Sequence, residues 1–590
     1  MESPPFTKSP RASATGGSSS SESWMEIRLQ VNEQTLSYYA ASLAALIGIF
    51  ILGHWIRRLA WNSSQSNILR PIVVLSRTFR KVLLRQLPAF TSVGHAALVI
   101  AFVGLNALFS FYRVDFSKTA NFASRFGWMA AGNLAFVVFL ALKNTPLAFL
   151  TAYSYERLNS LHKIAGYTTL LYAILHASLY TSYFINYGYT YILRENVVTA
   201  GIVVGFAMLF TVLSGMTLQR AKYELFYIIH LSLFVVIVVA LGFHRPSLDE
   251  KTLIITIVVA SLWVSDRMIR IARLAYNGLN NEATVFPLPN GGTRVVIKKP
   301  ITRARPGKHC YVWLPHIRSF ETHPFTIVAT EPMELVINTH SGFTKDLHEF
   351  ATQNPGKNLK VSVEGPYGTL PDPMEYDKVI LVAGGSGATF TIGIAADMIR
   401  RLSPESTKQI EFIWVSRSHH SIEWFTEHLS HLLTHECADK IGLKIHLTKV
   451  DTIQKIGEVV PIPPLSSQLF TLVESKPASI SDKATPGLST ETSSVAARDE
   501  DSEKNDNLSK VESREANRST TDSVSLPIIY GRPDIETSVR EAIGSAAKNE
   551  RVLVAACGPL GLVNTVRNTT ASCISINGPS VELHCEQFGW

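Results

Sequence analysis

The chain has 590 residues, a formal net charge of +8, a hydrophobic share of 46% and only 17% charged residues. It is too long for one ordinary domain and too apolar for a wholly soluble protein, so a membrane part is expected. The positive charge is spread over short loops and the polar half, which serves topology and solubility and argues against nucleic acid as a partner.

Residues 1–35 are rich in Ser and Pro and lack an apolar core of the signal-peptide kind, which predicts a disordered N-terminal segment, with the first span acting as its own anchor. Seven apolar stretches follow, at 36–56, 92–112, 127–142, 160–184, 197–215, 223–244 and 252–270. Each is long enough, or nearly so, to cross a hydrocarbon core of about 30 Å, and 36–275 therefore reads as a seven-helix transmembrane bundle. Lys143, Asn144 and Pro146 interrupt the apolar continuation of the third. Arg57, Arg58, Arg70, Arg77, Arg80, Lys81 and Arg85 crowd the first loop, and Arg157, Arg220, Lys222, Arg270 and Arg273 fall on the same side. The excess of positive charge in cytoplasmic loops then predicts an N-terminus outside and a cytoplasmic C-terminal half. Cys310, Cys437, Cys557, Cys573 and Cys585 all lie in that half, without a CxxC pair. Neither a disulfide framework nor a thiolate metal site is expected.

The fourth stretch contains LHKIAGYTTLLYAILH (161–176) and the sixth IHLSLFVVIVVALGFH (229–244), each with two histidines fourteen residues apart. On a helix that step rises about 21 Å and ends about 40° short of four full turns, so both histidines share a face. Both helices run in the same direction, which pairs His162 with His230 at one depth and His176 with His244 at the other. Ionisable groups inside spans are costly and mark function. One imidazole from each of two helices is what bis-histidine haem ligation needs. A proton relay is the rival reading, but it does not explain the paired depths. Arg245, beside the outer histidine, either guides an anionic chelate or haem propionate or, more plainly, is an interfacial arginine.

From 282 to 370, short strands punctuated by Gly and Pro predict a small β-barrel. It holds PGKHCYVWLP (306–315), HPFTI (323–327), HSGFTKDL (340–347) and EGPYG (364–368). An α/β domain follows at 376–590. KVILVAGGSGATFTIGIAADMI (378–399) reads as a buried strand, a glycine-rich turn and a helix, which brings backbone amides close to a phosphate, although it is not the GxGxxG fingerprint. A second strand, IEFIWVSR (410–417), ends in Arg417, and a third, VLVAACGPLG (552–561), carries Cys557, Gly558 and Pro559. Residues 465–525 are polar with few aromatics, which predicts a disordered insertion. The sequence ends in VELHCEQFGW.

In this order the motifs resemble the ferredoxin-reductase superfamily, and HPFT is the form seen in ferric reductases and NADPH oxidases. With the histidine pairs, the resemblance from residue 90 onward, apart from the insertion, is to the fungal ferric/cupric reductases, or metalloreductases. It implies that His323, Pro324, Phe325 and Thr326 hold the FAD isoalloxazine and its neighbouring polar chain, and that the amides of Ser341, Gly342, Phe343 and Thr344 approach the pyrophosphate. Gly384, Gly385, Gly387 and Thr389 would contact the nucleotide, and Cys557, Gly558 and Pro559 would lie beside the nicotinamide. Trp590 resembles the terminal aromatic that covers the flavin. Arg417 meets the 2′-phosphate of NADPH or stands solvated at a strand end; Cys557 and Trp590 each have a plain alternative as packing residues. The activity implied is electron transfer from NADPH through FAD and two haem b groups to ferric chelates or cupric ions across the membrane. A plasma membrane, contact with membrane lipid and metal-uptake partners in the same membrane are expected with it. An NADPH oxidase making superoxide is the alternative; there the second histidine interval is usually one residue shorter, whereas both intervals here are fourteen.

Overall fold

The computed structural model describes residues 19–62, 70–151, 155–247, 251–449 and 526–586. The insertion expected at 465–525 and the terminal Trp590 lie outside the described residues. The N-terminal expectation is corrected in part. Residues 1–18 are not described, but α1 (Ser19–Asn62) is already helical through the rest of that segment. Its early turns are held by tertiary contacts: Asn32 Nδ2 donates to Ser124 Oγ (3.1 Å), and Arg125 Nε donates to Asn32 Oδ1 (2.7 Å).

The helical half continues through α2 (Arg70–Leu83), α3 (Val93–Phe111), α4 (Thr119–Ala141), the short α5 (Leu147–Thr151), α6 (Tyr155–Asn186), α7 (Asn196–Ala221), α8 (Tyr223–His244) and α9 (Lys251–Gly278). Among the described residues, six helices are long and apolar enough to cross a membrane: α1, α3, α4, α7, α8 and α9. The remaining expected span, 160–184, corresponds to α6, which has the length but carries Lys163, two histidines and many Tyr, Thr and Ser side chains. It packs along α4 with Leu161, Ala165 and Tyr172 buried, and a helix shielded in this way has no need to be apolar all round.

Two antiparallel sheets follow. One has β1 (Glu282–Leu288), β2 (Gly292–Ile297), β5 (Ala329–Thr330), β6 (Met333–Asn338) and β7 (Lys357–Lys360), in the order β5-β6-β2-β1-β7. The other has β3 (His309–Trp313), β4 (His323–Thr326) and β8 (Ser362–Tyr367), in the order β4-β3-β8. Their inward residues, among them Val285, Val295, Cys310, Leu335 and Val363, share one core with Phe343 and Leu347 of α10 (Phe343–Gln353).

The last unit is a six-stranded parallel sheet, ordered β12-β11-β10-β9-β13-β14. Its strands are β9 (Lys378–Gly384), β10 (Gln409–Ser416), β11 (Ile441–Leu447), β12 (Ile528–Tyr530), β13 (Arg551–Cys557) and β14 (Ser580–Glu586). β9 is buried along its whole length, as a central parallel strand should be. On the faces of the sheet lie α11 (Ala388–Arg401), α12 (His420–Glu423), α13 (Thr426–Thr434), α14 (Ile535–Gly544) and α15 (Leu560–Cys573). After β9 the chain builds outward to β10, β11 and β12, then returns to β9's other side with β13. That reversal leaves a crevice at the strand C-termini, where α/β sheets bind ligands.

The helical and sheet halves are joined by a buried ion pair. Arg270 of α9 donates from Nε and Nη2 to Glu364 of β8 at 2.7 and 2.9 Å, and Tyr367 Oη adds a hydrogen bond to the same carboxylate. Burial works against the Glu364 charge, but the bonds and positive charge of Arg270 outweigh it and hold the carboxyl below its ordinary range.

Candidate functional site

α6 and α8 bring the four histidines into two pairs. The ring centroids of His162 and His230 are 6.4 Å apart, and those of His176 and His244 are 6.2 Å apart. Two metal–nitrogen bonds of about 2 Å each, with half a ring behind each nitrogen, span roughly 6 Å. Both pairs therefore fit a bridging iron.

Backbone carbonyls orient three of the four rings. His162 Nδ1 donates to Val137 O (3.0 Å), His176 Nδ1 to Ala123 O (2.8 Å) and His244 Nδ1 to Val197 O (2.8 Å). A carbonyl only accepts, so the proton must sit on Nδ1, leaving the Nε2 lone pair free for a metal. His230 Nδ1 faces the Thr211 carbonyl without closing a hydrogen bond.

Two residues that sequence reasoning missed make room for His176 and His244. A Cβ on Gly127 would lie 2.6 Å from His176 Nδ1, and one on Gly201 would lie 2.5 Å from His244 Nδ1. Both glycines, the two histidines and Arg245 line a cavity of about 420 Å³. A glycine within an apolar helix carries no sign of which ring will lie against it, so only its recurrence beside both His176 and His244 gives it meaning.

In the other half, every site residue named from sequence, apart from the undescribed Trp590, lines one cavity of about 1870 Å³. One wall is β4. His323 stacks on Phe343 (centroids 4.3 Å apart, planes at 18°), and its Nε2 lies 3.2 Å from Glu321 Oε2. Burial lowers the His323 pKa and outweighs the attraction of Glu321, so the ring is neutral near pH 7. Beside it the N-terminus of α10 presents the backbone of Ser341, Gly342, Phe343 and Thr344 to the cavity, where unpaired amides suit a phosphate. Gly342 has φ +74°, and Thr344 Oγ1 closes the turn by accepting from His340 N (2.8 Å).

The opposite wall is the sheet crevice. Gly384, Gly385 and Gly387 lead from β9 into α11 and interlock with the end of β13. A Cβ on Gly384 would come 2.6 Å from Pro559 Cδ, one on Gly387 would collide with the Cys557 carbonyl, and Gly558 stands at φ +155° with its own Cβ position 2.9 Å from Gly384. Thr389 Oγ1 donates to Ser386 O (3.0 Å), and Trp414 Nε1 holds Gly385 O at 3.1 Å. The Cys557 thiol is buried, and that burial pushes its pKa up, so it stays protonated. Arg417 is exposed at the end of β10, on the cavity wall that also carries Ser418, Thr448 and Arg532. Arg532 was not foreseen; in the chain it follows the long undescribed insertion, and only the β11–β12 pairing brings it here.

The third wall comes from the helical half. Residues 219–225, the link from α7 to α8, face the cavity, and Glu224 Oε1 would lie 3.1 Å from a Cβ on Gly342. His230 is six residues further along α8, so the helix that borders the large cavity also carries one histidine of the His162–His230 pair.

Comparison with known proteins agrees with this geometry. Residues 126–241 match the ferric reductase like transmembrane component, residues 279–370 an FAD-binding domain and residues 376–571 the ferric reductase NAD binding domain. Among similar proteins, "Probable cell surface ferric reductase kap2" of Aspergillus oryzae is 26% identical over 58% of this chain and 50% of its own length. "Ferric reductase transmembrane component 3" of Saccharomyces cerevisiae is 24% identical over 77% of this chain and 59% of its own. "Ferric/cupric reductase transmembrane component 2" of the same yeast is 25% identical over 84% and 66%. The chain thus spans about half to two thirds of the length of these curated relatives. It carries a ferric reductase transmembrane domain followed by FAD- and NAD-binding domains, and its homologues are fungal ferric and ferric/cupric reductase components.

Proposed function

We propose that this chain, an oxidoreductase with membrane and FAD/NAD-binding halves, is a metalloreductase that takes reducing equivalents from cytoplasmic NADPH and delivers them to chelated ferric or cupric ions across the membrane. The observation that carries this reading is the shared cavity, which joins the HPFT strand, the nucleotide crevice and the foot of the helix that holds His230 and His244. When bound, the cofactors would supply conversion of a two-electron hydride into single electrons and their relay through hydrocarbon by two haems in series.

The chain's own residues do the rest. His323, Pro324, Phe325 and Thr326 would line the isoalloxazine, with the stacked Phe343 keeping the neutral His323 in place. The α10 amides would hold the pyrophosphate. Gly384, Gly385, Gly387 and Thr389 would receive the nucleotide, Cys557, Gly558 and Pro559 would border the nicotinamide, and Arg417 would grip the 2′-phosphate. His162 with His230, and His176 with His244, would ligate the inner and outer irons, with α6 serving as the seventh span. This reading puts the N-terminus outside, in the plasma membrane, and assigns Trp590 to the flavin face.

The test is full-length protein in a sealed membrane, given NADPH on one side and assayed on the other for ferric chelate, cupric ion and superoxide. Metal reduction with a bis-histidine haem spectrum supports the proposal. Superoxide as the sole product would replace it with the oxidase, and the absence of both haem and flavin spectra would refute either.

A further inference from the structure

α2 sits the wrong way round for a helix in water. At 100° per residue, Ile72, Leu75, Phe79, Val82 and Leu83 fall within an arc of about 100°. All five are exposed, at 41%, 59%, 57%, 51% and 37%. The opposite arc carries Arg77, Arg80 and Lys81, and Arg77 and Arg80 on that arc face the nucleotide domain. Arg77 Nη1 donates to the carbonyls of Ser575, Ile576 and Gly578 at 3.1, 2.8 and 2.9 Å, just past the end of α15. The positive charge of Arg80 acts on the half-buried Glu582 of β14, the edge strand of the parallel sheet.

A surface helix in water turns its apolar stripe inward. The inverse arrangement requires an apolar medium outside, and three observations say which one. α2 packs against α1 and α3, two candidate membrane spans with exposed Ile49, Leu52, Ile100 and Val103. Its 14 residues make a rod of about 21 Å, too short to cross a bilayer. From Gln34 to Val114 the sequence contains no Asp or Glu, while residues 57–85 hold seven Arg and Lys.

We infer that α2 lies in the plane of the membrane boundary on the side of the nucleotide domain. Its apolar ridge is sunk among acyl chains, the exposed Lys81 and Arg85 reach the anionic headgroups, and Arg77 clamps the nucleotide domain to that surface. The partner is an anionic bilayer. The inference rests on the membrane reading of the chain, and it adds an attachment of the soluble half through other elements than those of Arg270 and Glu364.

The test uses the full chain, with Cys573 and Cys585 replaced by Ser, in nanodiscs of phosphatidylcholine and phosphatidylserine. A single nitroxide label is placed at position 75, 79, 81 or 100, and its collisions with oxygen and with a water-soluble nickel chelate are compared. Labels at 75 and 79 should resemble the one at 100, favouring oxygen several-fold over the label at 81. If 75 and 79 are as open to nickel as 81 while 100 stays shielded, the inference fails and the spans stand. If 100 is open as well, it is the membrane reading that fails. A short distance between labels at position 79 on two chains would assign the ridge to a second copy and overturn the bilayer. Independently, Phe79→Asp should raise amide exchange at 575–578 several-fold with flavin content unchanged, and unaltered exchange would remove the clamp.

Discussion

Around His176 and His244 the side chains face the cavity and backbone carbonyls stand behind them, whereas at Gly384 and Gly387 the backbone itself faces the cavity. The membrane half offers directional lone pairs, as a metal requires. The nucleotide half offers close approach and amide dipoles, which suit a phosphate. Glycine serves both, for different reasons. In α4 and α7 it admits a ring against a helix, and in the crevice it lets two strand ends interlock. Damage should accordingly be all-or-none where one lone pair is lost, and graded where a backbone is pushed aside.

The largest effect is expected from His244→Ala or His176→Ala. Either should bring reduction across the membrane to background and remove one of two haems, while NADPH still reduces the flavin. Haem content per chain, measured alongside external reduction, checks this; two haems retained with normal turnover would break the pairing.

Next comes Arg270→Ala, which leaves Glu364 buried without its partner and should cost about 3–5 kcal/mol. Thermal unfolding of the soluble half reports it. The wild-type pair also has a pH signature. Because the folded Glu364 pKa is depressed, its contribution is complete above the ordinary glutamate value and is lost as pH falls through the lowered one. The Arg270→Ala variant should therefore show less acid sensitivity than the wild type in this window, and an identical acid profile would dismiss the pair.

Gly201→Ala and Gly387→Ala sharpen the comparison most directly. Each forces a Cβ into occupied space, at a cost of about 1–3 kcal/mol. Gly387→Ala should weaken NADPH binding by about fivefold to a hundredfold with haem spectra unchanged. Gly201→Ala should do the reverse, altering the outer haem spectrum and sparing NADPH-driven flavin reduction. Crossed phenotypes would show that the two halves are not independent.

Arg417→Ala should raise the KM for NADPH by about tenfold, the worth of one lost charge-assisted bond of about 1.4 kcal/mol, and leave NADH untouched. Persistence of the preference for NADPH would transfer the role to Arg532. Excising 470–520 should change least, since loop-closure cost grows only slowly with length. Loss of NADPH-driven flavin reduction in a stably expressed deletion would make the segment part of the catalytic domain.

Much of the site was legible because its signals are local. Fourteen residues is close to four helical turns, so same-face histidines follow from the period alone, and HPFT, the 341–344 turn and the glycine turn are contiguous in the chain. Gly127, Gly201, Glu224 and Arg532 were not legible, because each matters through a neighbour far away in sequence. The helical start of α1 at Ser19 was missed for the same reason: Asn32 is held by Ser124 and Arg125, more than ninety residues on.

The sequence by itself determined which helices carry the histidine pairs, the glycine turns and the order of membrane, flavin and nucleotide parts, since helical period, apolar run length and turn chemistry act over a few residues. Only the tertiary structure decided that the link from α7 to α8 opens onto the cavity lined by His323, that carbonyls of α4 and α7 set the imidazole tautomers, and that α2 turns Arg77 inward. A periodic pattern says that a helix has two faces. Which face is packed depends on the free energy of everything around it, and that is a property of the assembled fold.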